Sequence, residues 1–549
     1  MNKTIKAWAA VAAMGALTLA GCGGGQSDDG GSTDDASTGT NAAATAITVR
    51  GCTPQNPLIP TNTNEVCGGN VLDASEAKLV RYDPTDASPA LDIAESIETE
   101  DAITWTVKLK EGYLFQDGTE VLAKNFVDAW NWGAYGPNAQ MNAYFFEMIE
   151  GYDALQCADA DCATAPTATE MTGLAVVDDH TFTIKTTTPT SNLEVRLGYT
   201  AFAPQPDAFF EDTSDGKTEF AKKPIAAGPY EVTAVTDTEI VLEKFADYSG
   251  EFTGTVDTVT FKVYNDPNAA YNDVVGNNLD LTDLVPTDQL IGDLWQQDAA
   301  DRWGTKDTGV FQSFTFAAGD EKLANVQLRQ AMSMAIDRAQ ITEQIFNNAR
   351  TPATGWVSPV VDGYKADQCT NCVFDVDKAK ELYAASGGYE GELPLWVNGD
   401  GGHDGWANAV CNQLRNNLGI NCVVQTTPDF ATLRNMITER EISGLFRTGW
   451  QMDYPSIENF LTPLYATGAS SNDSDYSNPA FDAKLAEAAA ATDIDTANTL
   501  YQEAEAMLDA DLPAVPLWYQ QSQYIYSDNI ASVEMTPFST FDFTSVELK

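Results

Sequence analysis

Thr104-Trp105-Thr106-Val107-Lys108-Leu109, followed by Phe115-Gln116-Asp117-Gly118-Thr119, is the stretch from which the fold of this chain is read. The first six residues alternate polar and apolar, the period of a strand with one buried face. Asp117-Gly118 has turn composition, and Ala123 to Trp132 then places Phe126, Val127 and Trp130 on one helical face. Upstream, Ile47 to Val49 reads as a first strand. Downstream, Val176 to Lys185 reads as a hairpin about Asp178-Asp179, with His180 a solvated side chain beside the turn. Gly228-Pro229-Tyr230-Glu231-Val232 opens another hairpin that returns at Ile240 to Phe245. The pattern then becomes mixed. Helices are predicted at Val326–Ile336, Ile341–Asn347 and Trp406–Leu418, with strands at Leu395–Asn398 and Cys422–Gln425. Ala/Glu-rich helices follow at Ala480–Ala490 and Ala497–Leu508, and the last 30 residues return to aromatic, β-like sequence. Strands at both ends with α/β blocks between them place the termini in one domain and the middle in others.

The 549 residues carry 30 Lys+Arg against 80 Asp+Glu, a formal net charge of −50. Such a field repels phosphate backbones and anionic headgroups, which argues against nucleic-acid binding. Two histidines far apart, His180 and His403, leave little room for a His-rich metal site, and no cofactor is expected.

Lys3 and Lys6 followed by the apolar run Ala7–Ala20 form an export signal, too short for a comfortable membrane span. The ending Leu19-Ala20-Gly21-Cys22 resembles a bacterial lipobox, which implies cleavage after residue 21 and a diacylglyceryl group on Cys22. Two acyl chains give stable anchoring. Residues 22–46 are Gly/Ser/Thr/Asp-rich, too poor in apolar side chains to fold, and read as a tether. Loss of the leader takes the charge to −52.

The other eight cysteines fall as neighbours: Cys52/Cys67, Cys157/Cys162, Cys369/Cys372 and Cys411/Cys422. In an exported chain this predicts four local disulfides. Cys369-Thr-Asn-Cys372 lacks the βαβ setting of a redox motif and a second close pair for zinc, so a loop staple is expected.

Four segments, in order, resemble the family-5 solute-binding lipoproteins of ABC importers, the oligopeptide- and dipeptide-binding type. They are Ala94-Glu95-Ser96 with the opening stretch, Ala227-Gly228-Pro229-Tyr230, Val326-Gln327-Leu328-Arg329-Gln330-Ala331 through Ala335-Ile336-Asp337-Arg338, and Gly449-Trp450-Gln451-Met452-Asp453-Tyr454-Pro455 with Asn459-Phe460-Leu461. The sequence departs from the family pattern at Lys244–Ser249, which lacks a Trp, and at Ser456-Ile457, where Asp-Pro is usual.

The resemblance implies an α/β, periplasmic-binding-protein-like type II fold of the cluster C kind, two lobes with a hinge plus an extra N-terminal subdomain. Lobe one is expected at 47–72, 196–305 and 513–549, the inserted subdomain at 73–195, and lobe two at 306–512. It implies a monomer that captures oligopeptides in the interlobe cleft and passes them to an ABC permease outside the cytoplasm. Asp453 falls at the family's amine-binding aspartate, and an acid between Trp450 and Tyr454 suits a cation. Arg447, six residues earlier, and His403 match positions near the peptide carboxylate, since a guanidinium clamps a carboxylate through two hydrogen bonds. Trp450, Tyr454 and Phe430 are candidates for side-chain pockets, with core packing the alternative for Phe430. A same-fold receptor for a non-peptide solute such as an oligosaccharide stays open, because 11 Trp and 20 Tyr suit sugar stacking equally. A hydrolase is disfavoured: neither Gly-x-Ser-x-Gly nor His-Glu-x-x-His occurs.

Overall fold

The computed structural model describes residues 45–549 except 160, 161, 429 and 470. The expected signal peptide, most of the tether and the lipidated Cys22 lie outside the described residues. Among those described, no helix is long and apolar enough to cross a membrane.

Thr104–Leu109 is a strand whose Trp105, Val107 and Leu109 are buried while Thr104, Thr106 and Lys108 face out. It is an inner strand of a four-stranded antiparallel sheet, in the order Ala94–Thr99, Thr104–Leu109, Thr181–Lys185, Leu174–Asp178. The helix Ala123–Ala134 packs on it through Phe126 and Trp130, whose rings lie 5.7 and 5.6 Å from that of Phe182. This subdomain has a core of its own. At its hairpin turn His180 is less solvated than expected. Its ring pairs with Glu120 at 3.0 Å, because the 115–120 turn folds back beside it, and that hydrogen bond holds its pKa above the ordinary value.

Val80–Tyr82 with Pro89–Leu91 and Ile530–Met535 with Phe541–Leu548 form two separate two-stranded sheets, and eleven further strands build one large sheet. Its centre is two long antiparallel strands, Trp303–Phe316 and Ala514–Tyr526, paired from Trp303 opposite Ile525 to Thr315 opposite Ala514, with an irregularity between Asp307 and Phe311. To one side lie Leu281–Thr282, Ala46–Gly51, Thr258–Val263, Glu239–Lys244 and Tyr230–Val235. To the other lie Leu445–Gln451, Glu392–Asn398 and Asn421–Thr427, and Arg350–Pro352 pairs with the second long strand. The N-terminal strand and the C-terminal segment share one core, while a second, larger core is built mainly from residues beyond 305.

The Gln116 side chain donates to the carbonyls of Ser75, Gly228 and Tyr230 and accepts from the Ala226 N–H, which ties the subdomain to the Gly228-Pro229-Tyr230 hairpin. A Cβ on Gly228 would stand 2.4 Å from the Ser75 carbonyl oxygen, so only glycine permits that approach. Asp337 caps the helix Arg338–Phe346 by accepting from the Gln340 N–H at 3.0 Å. Arg338 is buried and donates to the carbonyls of Ser333, Ile336, Cys372 and Pro516, a hub with no acid.

All four cysteine pairs are joined: Cys52–Cys67, Cys157–Cys162, Cys369–Cys372 and Cys411–Cys422. Cys369 and Cys372 are buried, and the Arg338 bond to Cys372 pins their loop to the core.

Candidate functional site

A cavity of about 830 Å³ is lined by residues of segments 63–82, 198–200, 310–315, 398–403, 430–434, 447–453 and 464–474, with Tyr144. His403, Phe430, Arg447, Trp450 and Asp453 are brought together on its wall.

Asp453 follows the strand Leu445–Gln451 and is half-buried. Asn459 Nδ2 donates to its Oδ2 at 3.0 Å, while Asn459 Oδ1 accepts from the Asp453 backbone N–H and from Trp450 Nε1–H, both at 2.9 Å. Among the described residues no lysine, arginine or histidine pairs with it. Burial pushes its carboxyl up to about 7, the Asn459 bond works against that rise, and the Glu458 charge adds to it. Tyr82, Tyr144 and Tyr199 share the cavity wall, and their phenols are held above the ordinary value by burial first and by the Asp453 charge next. A half-buried carboxylate without a cation beside it has lost solvation that a positively charged group would restore.

Arg447 lies opposite Phe314 in the sheet, and its guanidinium sits 5.2 Å from the centre of the Phe430 ring. Phe430 itself is 45% exposed, so it lines the cavity and is not a core residue. Near it, Arg434 is clamped by Asp473 at 2.6 and 3.1 Å, which neutralises that cation within the wall. His403 Nδ1 accepts from Trp406 Nε1–H at 3.0 Å. The neutral ring therefore carries its proton on Nε2, the tautomer that donates to an anion.

Tyr454 is placed elsewhere. It is buried, packs in the subdomain core and donates its hydroxyl to Glu458 Oε2 at 2.7 Å, and it is absent from the cavity lining. The strand ends at Gln451 and the chain bends at Asp453–Pro455, and in that bend the Tyr454 ring turns toward Glu458. The three tyrosines of the cavity wall were missed because they come from three separate segments without a local pattern. Asn459 lies in a family-like segment, and nothing in the sequence marks it as a partner of Asp453.

A family model described as bacterial extracellular solute-binding proteins, family 5 middle, matches residues 88–472. The chain belongs to this family. Among family relatives, the oligopeptide-binding protein OppA of Bacillus subtilis is 24% identical over 96% of this chain and 97% of its own length. The periplasmic oligopeptide-binding protein OppA of Escherichia coli is 26% identical over 79% and 80%. Solved structures share the fold. The Escherichia coli murein tripeptide-binding protein MppA superposes with a TM-score of 0.76 at 22% identity, covering 92% of this chain and 99% of its own. Haemophilus influenzae OppA in complex with the peptide RPPGFSPFR gives 0.74 at 20%, again over 92% and 99%. The family-5 member described here thus has the expected α/β type II periplasmic-binding-protein fold, two lobes joined by a hinge with an added N-terminal subdomain.

Proposed function

We propose that this protein captures oligopeptides in its cleft outside the cytoplasm and delivers them to an ABC permease. The observation that carries this reading is Asp453, an unpaired carboxylate on the wall of a large cavity whose other charged wall groups include Arg447. A peptide in such a cleft offers an α-ammonium to Asp453 and an α-carboxylate to Arg447 and His403, with Trp450 and Phe430 beside its side chains. The relatives named for oligopeptide binding support the ligand class. The work is capture and release, with no bond made or broken. In this reading the chain acts as a monomer held to the membrane by lipid on Cys22 and the tether to residue 46. The lobes are 47–72, 196–305 and 513–549 against 306–512, with 73–195 as the subdomain.

Native mass spectrometry of gently purified residues 47–549 tests the reading. Captured masses that fragment as mixed peptides are expected. Masses stepping in hexose units would move the function to sugar uptake.

A further inference from the structure

We propose that Asn459 is the positioning residue of the amine receptor: its carboxamide locks the Asp453 carboxylate and the Trp450 indole into one arrangement, so ligand affinity runs through it. The inference rests on the reading of Asp453 as the ammonium site.

Asn459 is 2% exposed, at the start of the helix Glu458–Tyr465. Its oxygen receives two donors, the Asp453 backbone N–H and the Trp450 indole N–H, which forces the amide nitrogen toward Asp453 Oδ2. No other side chain of this size satisfies all three bonds. Serine is too short, and aspartate offers a second carboxylate where Asp453 needs a donor. The bond to Oδ2 favours the ionised carboxylate, the form that pairs with an ammonium. This matters because burial and the Glu458 charge both oppose ionisation. Glu458, on the same helix start, is negative though paired with Arg196, and Tyr82, Tyr144, Tyr199 and Tyr454 surround the carboxyl without supplying a cation. Asn459 is the group that lowers the carboxyl pKa against that burial.

The test measures binding of Ala-Ala-Ala to the whole folded domain by calorimetry across neutral pH, in N459A, N459D, D453N and the D453N/N459A double variant. N459D keeps both accepting bonds at nearly unchanged shape and exchanges the donor for a second carboxylate beside Asp453, so it guards against misfolding of N459A. A lost charge-assisted bond of about 1.5–3 kcal/mol predicts affinity reduced about 10- to 100-fold in N459A and N459D. Their binding profiles should also move to higher pH, a change that a merely structural role would not produce. In the D453N background N459A should add almost nothing. Losses that multiply in the double variant would overturn the proposal. Impaired D453N with wild-type N459D and N459A would sink it while leaving the amine site intact. Wild-type binding by D453N would instead sink the amine site, and this proposal with it. If the wild type ignores Ala-Ala-Ala, the ligand-free protein decides. The Trp450 indole N–H resonance should titrate with a midpoint near 7, move upward in N459D, and stop titrating in D453N. An unmoved midpoint overturns the proposal.

Discussion

Arg196 Nη2 meets Glu458 Oε1 at 2.9 Å, and this pair ties the segment 192–196 to the segment 454–458 beside the cavity. The Glu458 side chain is 3% exposed, and its other oxygen accepts from Asn192 Nδ2 at 2.9 Å and from the Tyr454 hydroxyl at 2.7 Å. One carboxylate thus fastens two distant parts of the chain, and the next residue, Asn459, hydrogen-bonds Asp453.

Removing the cation of that pair strands a buried charge. Arg196→Ala should lower stability by about 3–5 kcal/mol, whereas Glu458→Gln, which still accepts from Tyr454, should lose only about 1–2 kcal/mol. Urea denaturation midpoints at neutral pH measure both. An Arg196→Ala protein as stable as the parent would contradict the account.

Ligand affinity should rise with pH up to about 7, the value to which burial pushes Asp453, and fall again once the peptide's own ammonium, with an ordinary pKa of about 8, loses its proton. Below about 7 the carboxyl is neutral and must lose a proton before it pairs with an ammonium, so affinity should fall about tenfold per pH unit. Calorimetric titration of a short peptide across this range reads the slope, and Asp453→Asn should flatten it.

The same residue trades stability for binding. The folded carboxyl lies above its ordinary 3.8, so its contribution to stability is complete below about 3.8 and is lost as pH rises through about 7. Asp453→Asn should therefore bind worse yet resist unfolding better at alkaline pH, by about 2 kcal/mol, a gain that vanishes in acid. Glu505→Gln should gain in the same direction. Glu505 is fully buried, holds the Trp356 N–H at 2.8 Å, and is pushed up to about 8 by burial. Thermal melts at two pH values test both variants.

Arg447→Ala should cost a peptide with a free carboxylate about 10- to 100-fold in affinity and its C-terminal amide little, because only the carboxylate offers the fork two acceptors. Equal losses for both peptides would remove Arg447 from the carboxylate end.

Disulfide loops should rank by length. Opening Cys52–Cys67, separated by 15 residues, should destabilise by about 3 kcal/mol, and Cys369–Cys372, separated by 3, by less. Paired Cys→Ala variants compared by chemical denaturation give the order.

Elements were legible wherever the signal was local. The alternation of Thr104–Leu109 and the helical spacing of Phe126 and Trp130 appear in the structure as read, because burial on one face imposes a period within a few residues. Neighbouring cysteines paired for the same reason. Trp450 and Asp453 sit in a segment that carries the family pattern, with Arg447 just before it, whereas His403 and Phe430 lie outside the four family-like segments; all five line the one cavity. Tyr454 was misjudged because motif spacing does not say which way a side chain points.

What remained hidden depends on segments far apart in the chain. No local pattern announces that Gln116 hydrogen-bonds the Gly228 hairpin, that Tyr82, Tyr144 and Tyr199 face Asp453, or that Arg196 neutralises Glu458. Strand and helix periods and cysteine pairing come from interactions within a few residues and are written in the order of amino acids. The charge state of Asp453 and the lock that Asn459 places on it come from burial and from contacts that exist only once the chain has closed on itself, where lost solvation and not composition sets the energy.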